Sequence, residues 1–273
     1  MSDATHDETG FLALTGKIER ERGFRAANYK DKCLRRRIAV RMRARGTLEY
    51  SDYCRLLDGD PAEYERLLDA LTVNVTKVFR NPDAWAAVER EVLGPLWSRA
   101  APTIQCWVAG CASGEEAYSL AALWHRFAVA RGEEHRIGRV RILATDIDKE
   151  SLAAAERGAY GPDAFVEAPV DIRTRYFSAV PPHTAATALR SLVRFERRDL
   201  LEEAPPPATM HLITCRNVII YFDRASQDAL LRRFHDALAP GGFLVLGKVE
   251  TVLGASRKLF DVVDHRQRIF RRP

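Results

Sequence analysis

Residues 107–120 read WVAGCASGEEAYSL, an apolar stub that runs through glycine and small residues into two acids. Extended back to TIQCWVAG at 103–110, the stub is a buried-strand candidate. The EEAYSLAALWHRFAVARG that follows reads as a long helix ended by Gly132. A strand that passes into a helix through small residues admits two readings. The small side chains serve tight packing, or they let a nucleotide-like ligand approach the backbone where a helix N-terminus exposes N–H groups.

The same alternation continues outward from this turn. RVRILATD (139–146) is a second strand and KESLAAAERGAY (149–160) a second helix; MHLITC (210–215), ASQDALLRRFHDAL (225–238) and GGFLVLG (241–247) read as strand, helix and strand. Strands alternating with helices imply a parallel sheet covered on both faces. LFDVVDH and QRIFRR are close enough in sequence to form a closing hairpin, so an open α/β sheet with its last strand antiparallel is expected. Residues 158–198 break the pattern with Pro162, Pro169, Pro181 and Pro182 and with short runs such as TRYFSAV and SLVRFERR. They are read as an insertion with short strands of its own.

Before the sheet, residues 1–70 read as helical throughout. Leu34, Ile38 and Met42 fall on one helix face, and around them stand Lys30, Lys32, Arg35, Arg36, Arg37, Arg41, Arg43 and Arg45, opposed only by Asp31. Gly46 supplies the stop, and Pro61 is a plausible first position for the helix PAEYERLLDAL. The expected organisation is a helical domain at 1–70, a linker at 71–88, and a sheet domain at 89–273 that holds the insertion.

The bulk composition fits a soluble globular protein: 273 residues, 47% hydrophobic and 29% charged, with a formal net charge of +5. The opening MSDATHDE is acidic and polar, unlike a signal peptide, and no apolar run approaches the roughly 20 residues of a membrane span. Five cysteines without C-x-x-C spacing disfavour a zinc site and a disulfide framework, so no metal and a reducing cytoplasmic location are expected.

In open α/β sheets ligands bind beyond the carboxyl ends of the strands. Four candidate positions sort by that rule: Gly110 to Glu116 after the first strand, Asp146 after the second, Arg216 and Asn217 after MHLITC, and Lys248-Val249-Glu250 after GGFLVLG. Local readings stand beside them. Ser113 with Glu116 forms an S-x-x-E capping box that needs no ligand. Asp146 and Asp148 sit where they could cap the helix that starts at Lys149. The glycines do not follow G-x-G-x-x-G, and Asp146 lies farther on than the usual acid of a dinucleotide site. A single nucleoside without pyrophosphate suits the turn better, which favours S-adenosylmethionine over NAD.

With these positions in place, four blocks are similar to the signature blocks of CheR-type chemotaxis receptor methyltransferases: LTVNVTKVFRNP (71–82), SGEEAYS (113–119), ATDID (144–148) and CRNVIIYFD (215–223). They occur in the family order and cover nearly the whole chain from about residue 10. The resemblance implies a class I S-adenosylmethionine-dependent methyltransferase, Rossmann-like, with an N-terminal all-helical domain and a small inserted β-subdomain. It implies methyl transfer from S-adenosylmethionine to glutamate side chains of chemoreceptors, with S-adenosylhomocysteine as product.

By motif position, the resemblance implies that Asn74, Thr76 and Arg80 line the cofactor from the linker, that Glu116 meets the methionine amino group and that Asp146 meets the ribose, with Gly110 at the turn. It likewise implies that Asp199 and Leu200 contact the adenine, that Arg216 and Asn217 close the pocket, and that Arg80 with Tyr221 serves the transfer itself. The basic stretch Lys30–Arg45 then has a use, since a positive face could steer and hold the acidic methylation helices of receptors.

Two positions depart from the family pattern: Val78 where an aromatic pair is common, and Lys248-Val249 where Gly-His-Ser-Glu is common. SAVPPHTAATALRS (178–191) has no glycine, so a tether to a receptor's C-terminal peptide is not expected. Nothing demands a dimer, and a monomer is expected. The absence of an Asn/Asp-Pro-Pro-Tyr type of motif weighs against base methylation, so nucleic acid is not expected as a partner. The alternatives are a methyltransferase for another substrate and a non-catalytic regulator that binds the cofactor or its product.

Overall fold

The computed structural model describes residues 2–72, 76–206 and 209–273, with side chains from Asp7 onward. The chain divides into two compact units: Met1–Val73 with Tyr221–Ser226, and Asn74–Ile220 with Gln227–Pro273.

The first unit is a helical bundle of α1 (Ser2–Arg22), α2 (Asp31–Ala44), α3 (Tyr50–Gly59) and α4 (Pro61–Leu71). Leu34, Ile38 and Met42 are buried, as their spacing predicts, and pack in one core with Phe11, Leu14, Ile18, Tyr53 and Leu67. Gly46 stops α2 in the left-handed region at φ +67°, and Asp60 caps α4 by accepting from the Glu63 N–H at 2.9 Å. The basic helix is less positive than its sequence suggests. Arg35 pairs with Asp7, Glu8 and Asp31, Arg41 with Glu63, and Arg45 with Asp60, so acids from neighbouring helices oppose it as well as Asp31. Arg37 points inward: it is buried, and its guanidinium lies 4.4 Å from the Tyr221 ring centroid. Lys32, Arg36 and Arg43 are exposed.

Glu63 is fully buried, yet its carboxyl sits below the usual range. Burial pushes it up, but the bonds donated by Arg41 (3.0 Å) and by the Tyr53 hydroxyl (2.8 Å) outweigh that push.

The second unit opens with α5 (Pro82–Val88), a wide helical turn (Glu89–Leu93) and α6 (Gly94–Trp97). Then follow β1 (Ile104–Ala109), α7 (Glu115–Ala130), β2 (Val140–Asp146) and α8 (Lys149–Arg157). After the short β3 (Ala159–Tyr160) come α9 (Val170–Tyr176), β4 (His183–Thr184), α10 (Thr187–Arg190), β5 (Val193–Arg197) and β6 (Met210–Cys215). The chain ends with α11 (Arg224–Ala237), β7 (Leu238–Leu246), β8 (Asp261–Asp264) and β9 (Ile269–Arg271). The main sheet runs β5-β2-β1-β6-β7-β9-β8. β9 is antiparallel to β7, in line with the expected hairpin, but it inserts between β7 and β8 and leaves β8 at the edge.

The stretch 158–198 carries a small sheet of its own, as the sequence suggested: the antiparallel pair β3–β4, extended by an antiparallel bridge between Phe177 and Ala185, beside α9, α10 and a 3-10 turn. Its last strand, β5, belongs to the main sheet, parallel to β2 from Ile142↔Val193 to Asp146↔Arg197. A strand with arginines at 194 and 197 and Glu196 looks like loop sequence, but an edge strand has one side free for such charges. No helix among the described residues is long and apolar enough to cross a membrane.

Candidate active site

Parallel registry brings the ends of four strands level. Ala109 pairs with Thr145, Val108 with Thr214, and Cys215 with Leu246, so Gly110, Asp146, Arg216 and Gly247 all emerge on one rim of the sheet. Chain order reverses direction on either side of β1, where such sheets hold their ligands.

Gly110 has φ +78°, and a Cβ there would stand 2.5 Å from Val218 Cγ2. The glycine is therefore needed both for its left-handed backbone and for the close passage of the 218 side chain. The turn's N–H groups are largely spent within the protein. Gly110 and Cys111 both donate to the Thr145 carbonyl, at 2.8 and 2.9 Å, and Ala112 donates to Asp146 Oδ2 at 2.8 Å. That arrangement offers little to a pyrophosphate and keeps Asp146 fixed in place. Burial pushes the Asp146 carboxyl above its ordinary range, against the pull of the N–H groups of Asp148 and Ala112. A carboxylate has about four lone-pair sites, so two backbone donors leave room for ribose hydroxyls.

The S-x-x-E capping box does not form. Gly114 takes the N-cap position with φ 91°, and Ser113 Oγ donates to Glu115 Oε2 at 2.8 Å. Glu116 turns instead to the end of β6: it accepts from Thr214 Oγ1 at 2.7 Å and pairs with Arg216 Nη1 at 3.3 Å. The helix cap after β2 belongs to Asp148 alone, which accepts from the N–H groups of Glu150 and Ser151.

Arg216 ties the linker into this rim. Its side chain is 2% exposed, and its Nη2 donates to the Arg80 carbonyl at 2.8 Å while its guanidinium lies 5.0 Å from the Trp85 ring centroid. Phe79 and Asn81, on either side of Arg80, sit at φ 56° and 57°. The Phe79 N–H donates to Ser119 Oγ at 2.7 Å, Val78 donates to the Ala164 carbonyl at 2.9 Å, and both side chains are buried in the main core. Val78 thus fills its position as core. Among the described residues, three of the five non-glycine residues with positive φ, namely Phe79, Asn81 and Asn217, fall in the family-like blocks, and a fourth, Ala112, directly precedes one. Such strain persists where surrounding structure imposes it, and it gathers at ligand sites.

Asp199 and Leu200 follow β5. The Arg198 N–H donates to the Asp146 carbonyl at 2.9 Å, which sets their turn beside the tip of β2, and Asp199 Oδ1 caps that turn at the Leu201 N–H, 2.8 Å away. The structure therefore brings Gly110, Glu116, Asp146, Asp199, Leu200, Arg216 and Asn217 to one rim, with the Arg80 backbone tied to it. Thr76 is half-buried. Asn74 lies outside the described residues. Tyr221 belongs to the helical unit, where its carbonyl accepts from the Lys30 N–H at 2.8 Å. Thr214 and Ser119 are partners that the sequence reading passed over as strand and helix residues.

A nucleoside-bearing sulfonium fits this donor set. Arg216 Nε and Asn217 Oδ1 are buried without a hydrogen-bond partner among the described residues, an unsatisfied donor and acceptor on the same rim. Among the described residues no cluster of three or more metal-ligating side chains occurs.

Residues 74–269 match the model of the CheR methyltransferase SAM-binding domain, and residues 9–72 match that of the CheR all-alpha domain. The chain belongs to the CheR methyltransferase family. As a CheR methyltransferase it is an S-adenosylmethionine-dependent enzyme. The chain is 35% identical over 262 residues to "Uncharacterized 104.1 kDa protein in hypE 3'region" of Rhodobacter capsulatus, a match that covers 95% of this chain but 26% of that protein. It is 31% identical to a chemotaxis protein methyltransferase of Klebsiella aerogenes over 92% of this chain and 86% of that one. It is 30% identical to that of Listeria monocytogenes over 90% and 91%.

Proposed function

We propose that this CheR methyltransferase moves the methyl group of S-adenosylmethionine onto glutamate side chains of chemoreceptors, leaving methyl esters and S-adenosylhomocysteine. The observation that carries the reading is the rim at which Glu116, Asp146 and Arg216 converge, set in a chain whose relatives are named chemotaxis protein methyltransferases.

When bound, the sulfonium supplies an electrophilic methyl group whose bond to sulfur breaks, with its electron pair left on sulfur, as a carboxylate oxygen attacks in line. A glutamate with a pKa near 4.3 is already ionised at neutral pH, so the chain needs no general base. Its residues contribute alignment, the main resource of a reaction run on positioning. Glu116 and Asp146 hold the two ends of the donor at the amino group and the ribose, and Asp199 and Leu200 bound the adenine. Arg80 orients the incoming carboxylate, a task suited to a planar two-pronged donor, and Tyr221 steadies the reacting centre. Thr76, Asn74 and Asn217 complete the enclosure.

The receptor is met by the exposed part of the basic helix. With Arg35, Arg41 and Arg45 paired to acids of the bundle and Arg37 buried, the face open to acidic methylation helices includes Lys32, Arg36 and Arg43. Reversing these three charges to glutamate is expected to raise the receptor KM about tenfold at low salt, to lose that effect at high salt, and to leave S-adenosylhomocysteine affinity alone. Unchanged receptor kinetics would remove the helix from the interface. Labelled methyl transfer to a purified receptor cytoplasmic fragment tests the whole reading: the label should leave as methanol on mild alkali. Donor binding without transfer would instead mark a regulator, and alkali-stable label would mark another substrate group.

A further inference from the structure

Glu250 is 2% exposed and carries a carboxylate into the sheet rim with no ion-pair partner among the described residues. Lys248, two residues earlier, turns away to Asp83 at 3.7 Å, and Val249 is 74% exposed. The Glu250 charge is met by backbone alone. Oε2 accepts from the N–H groups of Gly247 at 2.6 Å and Asn217 at 2.8 Å, and Oε1 accepts from Ile220 at 3.3 Å. Successive N–H groups curled around an anion form a nest, which offsets much of the cost of burying the charge. Asn217 takes φ 62° within this nest. Gly247 leaves the space, since a Cβ there would lie 2.7 Å from Glu250 Oε2 and 2.8 Å from the Asn217 nitrogen. Gly247 and Glu250 thus act as a pair, and the two residues between them form an exposed tip.

We propose that Glu250 is a positioning residue for the methyl-donor site: it fixes the left-handed turn at Asn217 and so sets Arg216 on Glu116 and on the Arg80 carbonyl. The inference rests on the assignment of that rim to the donor. It also fits Lys248-Val249 at the place where the family pattern is expected to read His-Ser, because Lys248 reaches Asp83 and Val249 is exposed.

Titration calorimetry with S-adenosylhomocysteine on the full chain, well below the melting temperatures, tests it. Glu250→Gln keeps the shape but replaces one acceptor with an NH2 group aimed at N–H donors. It should weaken binding about tenfold or more and raise the donor KM in step. kcat at saturating donor and the receptor KM should stay near wild type, a split that a general loss of stability would not produce. Glu250→Asp should recover part of the affinity, and Lys248→His with Val249→Ser should leave it unchanged. A folded Gln variant with wild-type affinity overturns the proposal. If the Gln variant does not fold, the Asp variant decides: weakened binding at a retained melting temperature supports the role, and wild-type binding ends it. A wild-type chain that binds the product yet labels no receptor defeats the receptor-methylation reading alone; one that does not bind it defeats both.

Discussion

Arg80→Ala yields a folded protein whose turnover falls about a hundredfold or more, while its affinity for S-adenosylhomocysteine changes far less. The linker keeps three attachments that alanine preserves: the Phe79 N–H at Ser119 Oγ, the Val78 N–H at the Ala164 carbonyl, and the Arg80 carbonyl at Arg216. On the proposed role, alanine removes a charged fork that orients the incoming carboxylate, and losing one preorganised donor of that kind typically costs about 10²–10³ in turnover. Lysine should not restore the rate, because a point charge cannot hold both carboxylate oxygens in one plane. Single-turnover methylation beside product-binding titration separates the two effects. A nearly active, folded Arg80→Ala enzyme would reduce Arg80 to a linker residue.

Arg216→Ala is the second large effect, and it reaches both stability and binding. The side chain is 2% exposed and serves Glu116, the Arg80 carbonyl and the face of Trp85 at once. Without it, the Glu116 carboxylate keeps the Thr214 hydroxyl among the described residues and remains as a part-buried, uncompensated charge. Breaking a buried pair by removing one member costs about 3–5 kcal/mol, a large share of a domain's net stability. The denaturant midpoint should drop accordingly, and product binding should fall below detection. Arg216→Ala with Glu116→Gln should regain stability, because the orphaned charge goes with its partner, and should still fail to bind. A double variant no more stable than the single one would contradict the pairing.

Strand-helix alternation, the turn at Gly110 and the acid at Asp146 were legible because each rests on local chemistry: an apolar run, a glycine, a polar group at a strand end. The last strand of 158–198 was read with the insertion and not with the main sheet, because locality fails there. Val193–Arg197 carries the charges of a loop and becomes the sheet edge only because β2 offers it a pairing partner about fifty residues away in sequence. Glu116 shows the same limit from the other side. Its spacing from Ser113 fits a cap, but Gly114 takes the left-handed cap position, and a buried threonine and arginine 98 and 100 residues on claim the carboxylate. The basic helix was read as opposed by Asp31 alone because Asp7, Glu8, Asp60 and Glu63 reach it from other helices. Glu250 was visible as an acid at a strand end, but its role depends on which N–H groups surround it, and no spacing rule reports that.

The central claim is that the tips of β1 and β2 hold one adenosine-bearing methyl donor. A crystal structure of the full chain with S-adenosylhomocysteine tests it most directly. The account predicts the ribose hydroxyls on Asp146, the amino group on Glu116, and the adenine against the Asp199–Leu200 turn. A product molecule bound elsewhere, with the rim between Gly110 and Asp146 filled by the protein's own side chains, would contradict it.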